Sequence, residues 1–77
     1  MNIELGHRVR EIRLELYGLH GGPMLASELG ISFYKLMKYE QGQTIPAHTI
    51  LLFMEKTGAR SSWLFTGEGE KYEHRPR

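Results

Sequence analysis

Apolar residues recur every three or four positions along most of the chain, and this is the spacing of one face of an α-helix. Five segments with this spacing are separated by glycines, prolines and short polar turns. They cover about residues 3–17, 23–29, 32–40, 46–57 and 61–66. No segment of useful length alternates with the period of two that marks a half-buried strand. The pattern predicts a compact all-α fold of five helices.

The first helix shows its predicted core face most clearly. The residues that we expect to be buried there are Ile3, Leu5, Val9, Ile12 and Leu16. Gly18 is a natural stop for this helix, and Pro23 suits the first position of the next one. In the third helix we expect Leu36 and Tyr39 to face inward.

Residues 23–40 have the composition of two short helices joined by a tight turn. Ala26 is small enough for two helices to cross closely, and Gly30 accepts the left-handed conformation that such a turn needs. Ser32 is a typical N-cap, and Leu36 anchors the second helix to the core. This arrangement predicts a helix-turn-helix whose second helix projects its first residues toward base edges in a DNA major groove. The residue types are common, so a generic helical hairpin is the alternative.

Composition narrows the class of protein further. At 77 residues the chain is long enough for one domain, which we place at residues 1–69, followed by a polar tail at residues 70–77. There is no cysteine and the four histidines are scattered, so we expect no metal site and no cofactor. We find no Ser-His-Asp set, no phosphate-binding glycine loop and no paired carboxylates, so we expect no enzyme activity.

Neither a membrane segment nor a strong charge is visible in the sequence. The longest apolar run, residues 50–54, is far too short to span a bilayer, and the N-terminus does not resemble a signal peptide. We therefore expect a cytoplasmic protein with no membrane partner. The formal net charge is only +1, so bulk charge does not indicate nucleic-acid binding. The basic residues that cluster in the first and third helices are Arg8, Arg10, Arg13, Lys35 and Lys38.

Five separated segments carry a family resemblance. They are RVREIR at residues 8–13, Leu25-Ala26 through Gly30-Ile31-Ser32, YEQG at residues 39–42 followed by Pro46, Gly58, and WLFTGEG at residues 63–69. In this order they resemble the Cro and phage-repressor type of helix-turn-helix domain, called the XRE family, over about residues 4–69. The resemblance implies a lambda-repressor-like fold and a sequence-specific transcriptional regulator that binds double-stranded DNA. It further implies a repressor that acts as a homodimer on a palindromic operator.

The same resemblance assigns roles to individual residues. On the second, or recognition, helix the expected DNA contacts are Ser32, Phe33, Tyr34, Lys35, Met37 and Lys38. In the following loop, Gln43 and Thr44 are expected to contact phosphates, with an ordinary polar loop as the alternative. Arg13 and Glu40 match an arginine and a glutamate that pair in such domains. Glu40 lies next to inward Tyr39 and would be costly to bury alone, which favours this pair over two solvated charges.

Aromatic residues leave the identity of the partner open. Phe33 and Tyr34 stand where small polar residues are common in the family, and exposed aromatic clusters are also typical of protein interfaces. The alternative function is therefore a protein-interaction adaptor or an antitoxin built on the same fold. Trp63 and Phe65 flank Leu64 in the fifth helix. We expect one of these two aromatic residues to fill the core and the other to lie at a dimer seam.

Overall fold

Five α-helices follow one another along residues 3–73, the part of the chain that the computed structural model describes. They are α1 (Ile3–Tyr17), α2 (Gly22–Glu28), α3 (Phe33–Glu40), α4 (Ala47–Thr57) and α5 (Ser61–Thr66). Within these residues there is no strand, and an isolated antiparallel bridge joins Ala59 to Tyr72. The predicted all-α fold of five helices is confirmed. α2 starts one residue earlier than predicted, and Pro23 lies in its first turn, where a missing N–H is tolerated.

The core is built from the apolar sides of the five helices. Its largest fully buried side chains are Ile12, Leu25, Leu36 and Leu64. Phe53 of α4 is 3% exposed and contributes to the same core. The prediction was wrong for Ile3 and Leu16, which are 53% and 49% exposed. The buried residues of α1 run only from Leu5 to Arg13, because the neighbouring helices cover the middle of α1 and not its ends.

The connection between α2 and α3 fixes the direction in which α3 leaves the turn. Gly30 has a φ of +70°, a left-handed conformation that glycine adopts without strain. The N–H of Ile31 donates to the Ala26 carbonyl at 3.0 Å, and the Ile31 side chain packs against the core. At the last residue of α2, the Tyr17 hydroxyl donates to a Glu28 carboxylate oxygen at 2.6 Å. Burial and this hydrogen bond raise the pKa of Tyr17 to about 12.

α1 and α3 approach each other closely near the start of α1. A Cβ atom on Gly6 would lie 2.5 Å from the carbonyl oxygen of Tyr39 and 2.7 Å from that of Glu40. Both oxygens belong to the backbone of α3, so a larger residue at position 6 would have to push the two helices apart. Gly6 therefore sets the distance at which α1 supports α3.

Residues 71–73, in the predicted polar tail, are joined through the backbone to residues 58–60, between α4 and α5. The Arg60 N–H donates to the Lys71 carbonyl at 2.9 Å, and the Glu73 N–H donates to the Gly58 carbonyl at 2.6 Å. We call residues 70–73 the C-terminal strap. The remainder of the predicted tail, residues 74–77, lies outside the described residues.

Side chains of the C-terminal strap join it to α1. Lys71 forms salt bridges with Glu11 and Glu15, and the Tyr72 hydroxyl donates to Glu15. The two carboxylates raise the pKa of Lys71, and burial together with the bond to Glu15 raises the pKa of Tyr72. Lys71 and Glu15 are 56 positions apart, so no local pattern could reveal this contact.

Candidate nucleic-acid interface

Ser32 begins α3 as its N-cap. Its hydroxyl oxygen accepts a hydrogen bond from the Lys35 N–H at 3.0 Å, which satisfies one of the N–H groups that a first turn leaves unpaired. The buried residues of α3 are Leu36, Tyr39 and Glu40. Its exposed side chains are Phe33, Tyr34 and Lys35. The first turn of α3 therefore presents three consecutive side chains to solvent, directly after an exposed cap.

The charge on the accessible surface of α3 is positive. The single carboxylate of the helix belongs to Glu40, which is 5% exposed. The guanidinium of Arg13 donates to both of its oxygens, from Nε at 2.6 Å and from Nη2 at 3.0 Å. The ion pair predicted between Arg13 and Glu40 is therefore present. In the described part of the chain neither Lys35 nor Lys38 forms a salt bridge, so the helix shows two ammonium groups and no carboxylate to an approaching anion.

Both lysines of α3 lie over aromatic rings of the same helix. The Lys38 Nζ is 5.2 Å from the centroid of the Tyr34 ring, and the Lys35 Nζ is 5.7 Å from that of Tyr39. Each pair is four residues apart, the spacing that brings side chains together on a helix surface. At these distances the ring attracts the cation, so both ammonium groups have a preferred position before any ligand arrives.

Phe33 is held in place by the start of α2. Its ring lies over Gly22, so close that a Cβ atom at Gly22 would overlap the ring edge. Gly22 is buried beneath it, whereas Phe33 keeps 44% of its surface exposed. The ring is therefore anchored by α2 and still offers an apolar surface to a ligand.

The prediction that Met37 is one of the outward-facing DNA contacts of α3 was wrong. It is half-buried and packs against the core. The reason is that α3 packs against both α1 and α2, so its buried arc is wide enough to include Met37. Met37 therefore supports the helix and offers little surface to a ligand.

Gln43 and Thr44 lie in the loop that follows α3, and both are exposed. They line a surface depression together with Lys38 and Gln41. The Gln43 N–H donates to the Lys38 carbonyl at 3.1 Å, which ties this loop to the last turn of α3. The structure therefore brings three predicted contact residues to one place, and their ammonium, amide and hydroxyl groups are suitable donors for a phosphate.

The two aromatic residues of α5 have different surroundings. Trp63 is half-buried against the core, and the Lys71 Nζ lies 5.0 Å from the centroid of its ring. Leu64, between the two aromatic residues, is fully buried, whereas Phe65 is 46% exposed. Of the two residues proposed for a dimer seam, Phe65 is therefore the more accessible one, because the C-terminal strap of the same chain reaches Trp63.

Gly6, Gly22 and the C-terminal strap make contacts that were not predicted from the sequence. A glycine inside an otherwise regular helix costs about 1 kcal/mol relative to alanine, so Gly6 could have indicated a close helix contact. The predicted second helix begins after Gly22, and only the ring of Phe33 explains why this position is a glycine. Arg8 was also unassigned as a support, yet its Nη1 donates to the Leu64 carbonyl at 3.1 Å and joins α1 to α5.

Residues 3–73 contain no group of three or more histidine, cysteine, aspartate or glutamate side chains placed to hold a metal ion. No helix in the same residues is long and apolar enough to cross a membrane. Comparison of the chain with protein-family models, curated proteins and solved structures finds no match. A functional assignment therefore rests on the geometry of α3 and its surroundings.

Proposed function

We propose that this protein is a sequence-specific regulator of transcription that places α3 in the major groove of double-stranded DNA. The observation that carries the proposal is the accessible face of α3, which combines two lysines with two aromatic rings while the helix's sole carboxylate is buried against Arg13. An α-helix fits the major groove, and the first residues of a recognition helix contact base edges there. In this proposal α2 and α3 act as a helix-turn-helix, in agreement with the resemblance to the XRE family.

The contacts divide into base contacts and phosphate contacts. Phe33, anchored on Gly22, is suited to pack against the methyl group of a thymine. Gln43 and Thr44 are suited to donate to a phosphate beside the groove. Phosphate contacts position the protein and base contacts select the sequence, so both sets are needed for an operator to be recognised.

We assign the protein the role of a cytoplasmic repressor that binds a palindromic operator as a homodimer. A twofold pair of helix-turn-helix units places its recognition helices about one duplex turn, roughly 34 Å, apart. The exposed ring of Phe65 supports a seam formed by α5. We expect Phe65→Glu to give a monomer in sedimentation analysis and to weaken operator binding without loss of helix content. A wild-type protein that is monomeric at high concentration would contradict the seam.

A binding titration with a matched pair of variants tests DNA binding directly. Lys35→Gln with Lys38→Gln removes two charges from α3, and Lys56→Gln with Arg60→Gln removes two exposed charges elsewhere. We expect wild type to bind duplex DNA at about 50 mM salt and to lose affinity as salt rises, because binding releases counterions. The α3 variant should reduce the salt slope by up to about 2, since each phosphate contact contributes about 0.9, whereas the control should change it little. Absence of any wild-type complex at low salt would refute the proposal.

The second candidate function is a protein-interaction module, including an antitoxin. The exposure of Phe33 and Tyr34, at 44% and 68%, is the observation that favours it, since exposed aromatic groups are enriched at protein interfaces. In the same titration this candidate is distinguished by a lack of duplex binding at low salt.

A further inference from the structure

The two lysines of α3 lie over rings with different roles in the fold. Lys35 lies over Tyr39, which is 4% exposed and has its place in the core. Lys38 lies over Tyr34, which is 68% exposed and outside the core. Packing in the core therefore explains why position 39 has an aromatic residue, whereas it does not explain the aromatic residue at position 34.

These contacts draw the two ammonium groups in opposite directions along the helix. Lys38 belongs to the last turn of α3, and its ammonium lies 5.2 Å from the centroid of the ring of Tyr34, a residue of the first turn. Lys35 belongs to the first turn, and its contact with Tyr39 brings its ammonium toward the last turn. In a recognition helix the first turn meets the base edges, and the flanks meet phosphates.

We propose that Tyr34 is a positioning residue that holds Lys38 against a guanine base, an inference that rests on the proposed binding of duplex DNA. Guanine offers the O6 and N7 acceptors in the major groove, and a lysine ammonium is one of the groups that bind them. The attraction of an exposed ring for a cation is worth about two- to fivefold in an equilibrium. Without the ring, the ammonium of Lys38 is free to bind a phosphate near the depression that Lys38 lines with Gln43 and Thr44. Tyr34 therefore controls specificity, and the charge of Lys38 controls general affinity.

Replacement of single guanines by 7-deazaguanine, which lacks the N7 acceptor, tests this assignment. A binding site is first selected from random duplexes with the wild-type protein, and each guanine in it is then replaced in turn. We expect one guanine in each half-site at which the replacement weakens wild-type binding about fivefold. Lys38→Gln and Tyr34→Leu should both lose this sensitivity, while Tyr34→Phe, which keeps the ring, should retain it. Tyr34→Leu should keep its affinity for unselected duplexes.

Lys35→Gln is the matched control, because it removes the same charge from the same helix. It should weaken binding to all duplexes alike and keep the sensitivity to 7-deazaguanine. Thermal unfolding should show the same midpoint for Tyr34→Leu as for wild type, since the side chain is mostly exposed.

Two results would overturn the inference while leaving the proposed function in place. One is a selected site in which no 7-deazaguanine weakens wild-type binding, and the other is a Tyr34→Leu variant as sensitive as wild type. Failure of wild type to bind any duplex at low salt would remove the inference and the proposed function together.

Discussion

Arg13 and Glu40 join α1 to the end of α3 through two parallel hydrogen bonds, of 2.6 Å and 3.0 Å. The two residues are 6% and 5% exposed, so neither charge is well hydrated and each depends on the other. A bidentate pair of this kind also fixes orientation, because the planar guanidinium must face the carboxylate edge to edge. The pair therefore holds α3 at a defined angle on α1 and removes a negative charge from the proposed DNA surface.

Loss of Arg13 alone should be strongly destabilising. Arg13→Ala leaves the Glu40 carboxylate buried without its partner, and we expect the free energy of unfolding to fall by about 3–5 kcal/mol. The double variant Arg13→Met with Glu40→Leu removes both charges and should recover most of that loss. Urea denaturation of the three proteins measures the difference. A single variant as stable as wild type would mean that the pair contributes nothing to the fold.

The same substitution at two buried glycines should have different effects. Gly6→Ala places a methyl group against backbone oxygens of α3, so we expect a loss of about 1–3 kcal/mol in the free energy of unfolding. Gly22→Ala meets the ring of Phe33, which is partly exposed and free to rotate away. Its stability should stay within about 1 kcal/mol of wild type, because alanine is also the better helix former. Equal losses in thermal denaturation for both variants would contradict this reasoning.

Gly22→Ala should also alter binding, since the displaced ring of Phe33 belongs to the proposed DNA surface. We expect a change in affinity for the selected operator that exceeds any change for unselected duplexes, because Phe33 is assigned to a base and not to a phosphate. Phe33→Ala provides the comparison, and both variants should lose the same base preference.

The cap of α3 allows stability and DNA binding to be separated. Ser32→Ala removes the acceptor for the Lys35 N–H and should cost about 1 kcal/mol of stability. Ser32→Asp keeps an acceptor and adds a negative charge at a helix N-terminus, so it should match or exceed wild-type stability. Because that carboxylate would face the phosphates, Ser32→Asp should nevertheless bind DNA more weakly than Ser32→Ala. Thermal denaturation and a duplex titration test the two halves of this prediction, and tighter DNA binding by Ser32→Asp would contradict the placement of α3.

Attachment of the C-terminal strap should depend on pH. Hydrogen bonds from Lys71 and then from Tyr72 lower the pKa of Glu15 below its usual value of 4.5. Such a contact contributes fully above the pKa of the unfolded chain and is lost as pH falls through the lower folded pKa. We therefore expect the strap to detach in acid below pH 4.5, with a change in the fluorescence of Trp63, the single tryptophan, over which Lys71 lies.

Two variants separate this transition from general acid unfolding. Glu15→Gln should weaken the acid transition and leave the salt bridge between Lys71 and Glu11 in place. Glu4→Gln is the control, since Glu4 is exposed in the first turn of α1 and is not one of the carboxylates that pair with Lys71 or Tyr72. An acid transition that is identical in wild type and Glu15→Gln would show that another group controls it.

Most residues of the proposed site could be predicted from the sequence, whereas the contacts that surround them could not. Four of the predicted contacts are exposed at the start of α3, namely Ser32, Phe33, Tyr34 and Lys35. Three more line one surface depression, namely Lys38, Gln43 and Thr44. All seven lie in one continuous segment of the chain, so a local pattern was enough to identify them. The four-residue spacing of Tyr34 and Lys38 was visible in the sequence, but the direction of the ammonium group depends on rotamers that only the packed helix defines.

The sequence by itself determined the five helices and most of their ends. The signals for these helices are local, because they act through neighbouring residues of one segment. They are the helical period of the apolar residues, the N-cap Ser32, and glycines such as Gly58, which has a φ of +77°. Tertiary structure decided the exposure of Leu16, the half-burial of Met37 and the folding back of the C-terminal strap. Each of these three features depends on which residues, distant in sequence, pack against the segment concerned. The pattern of apolar and polar residues within one segment contains no information about that packing partner.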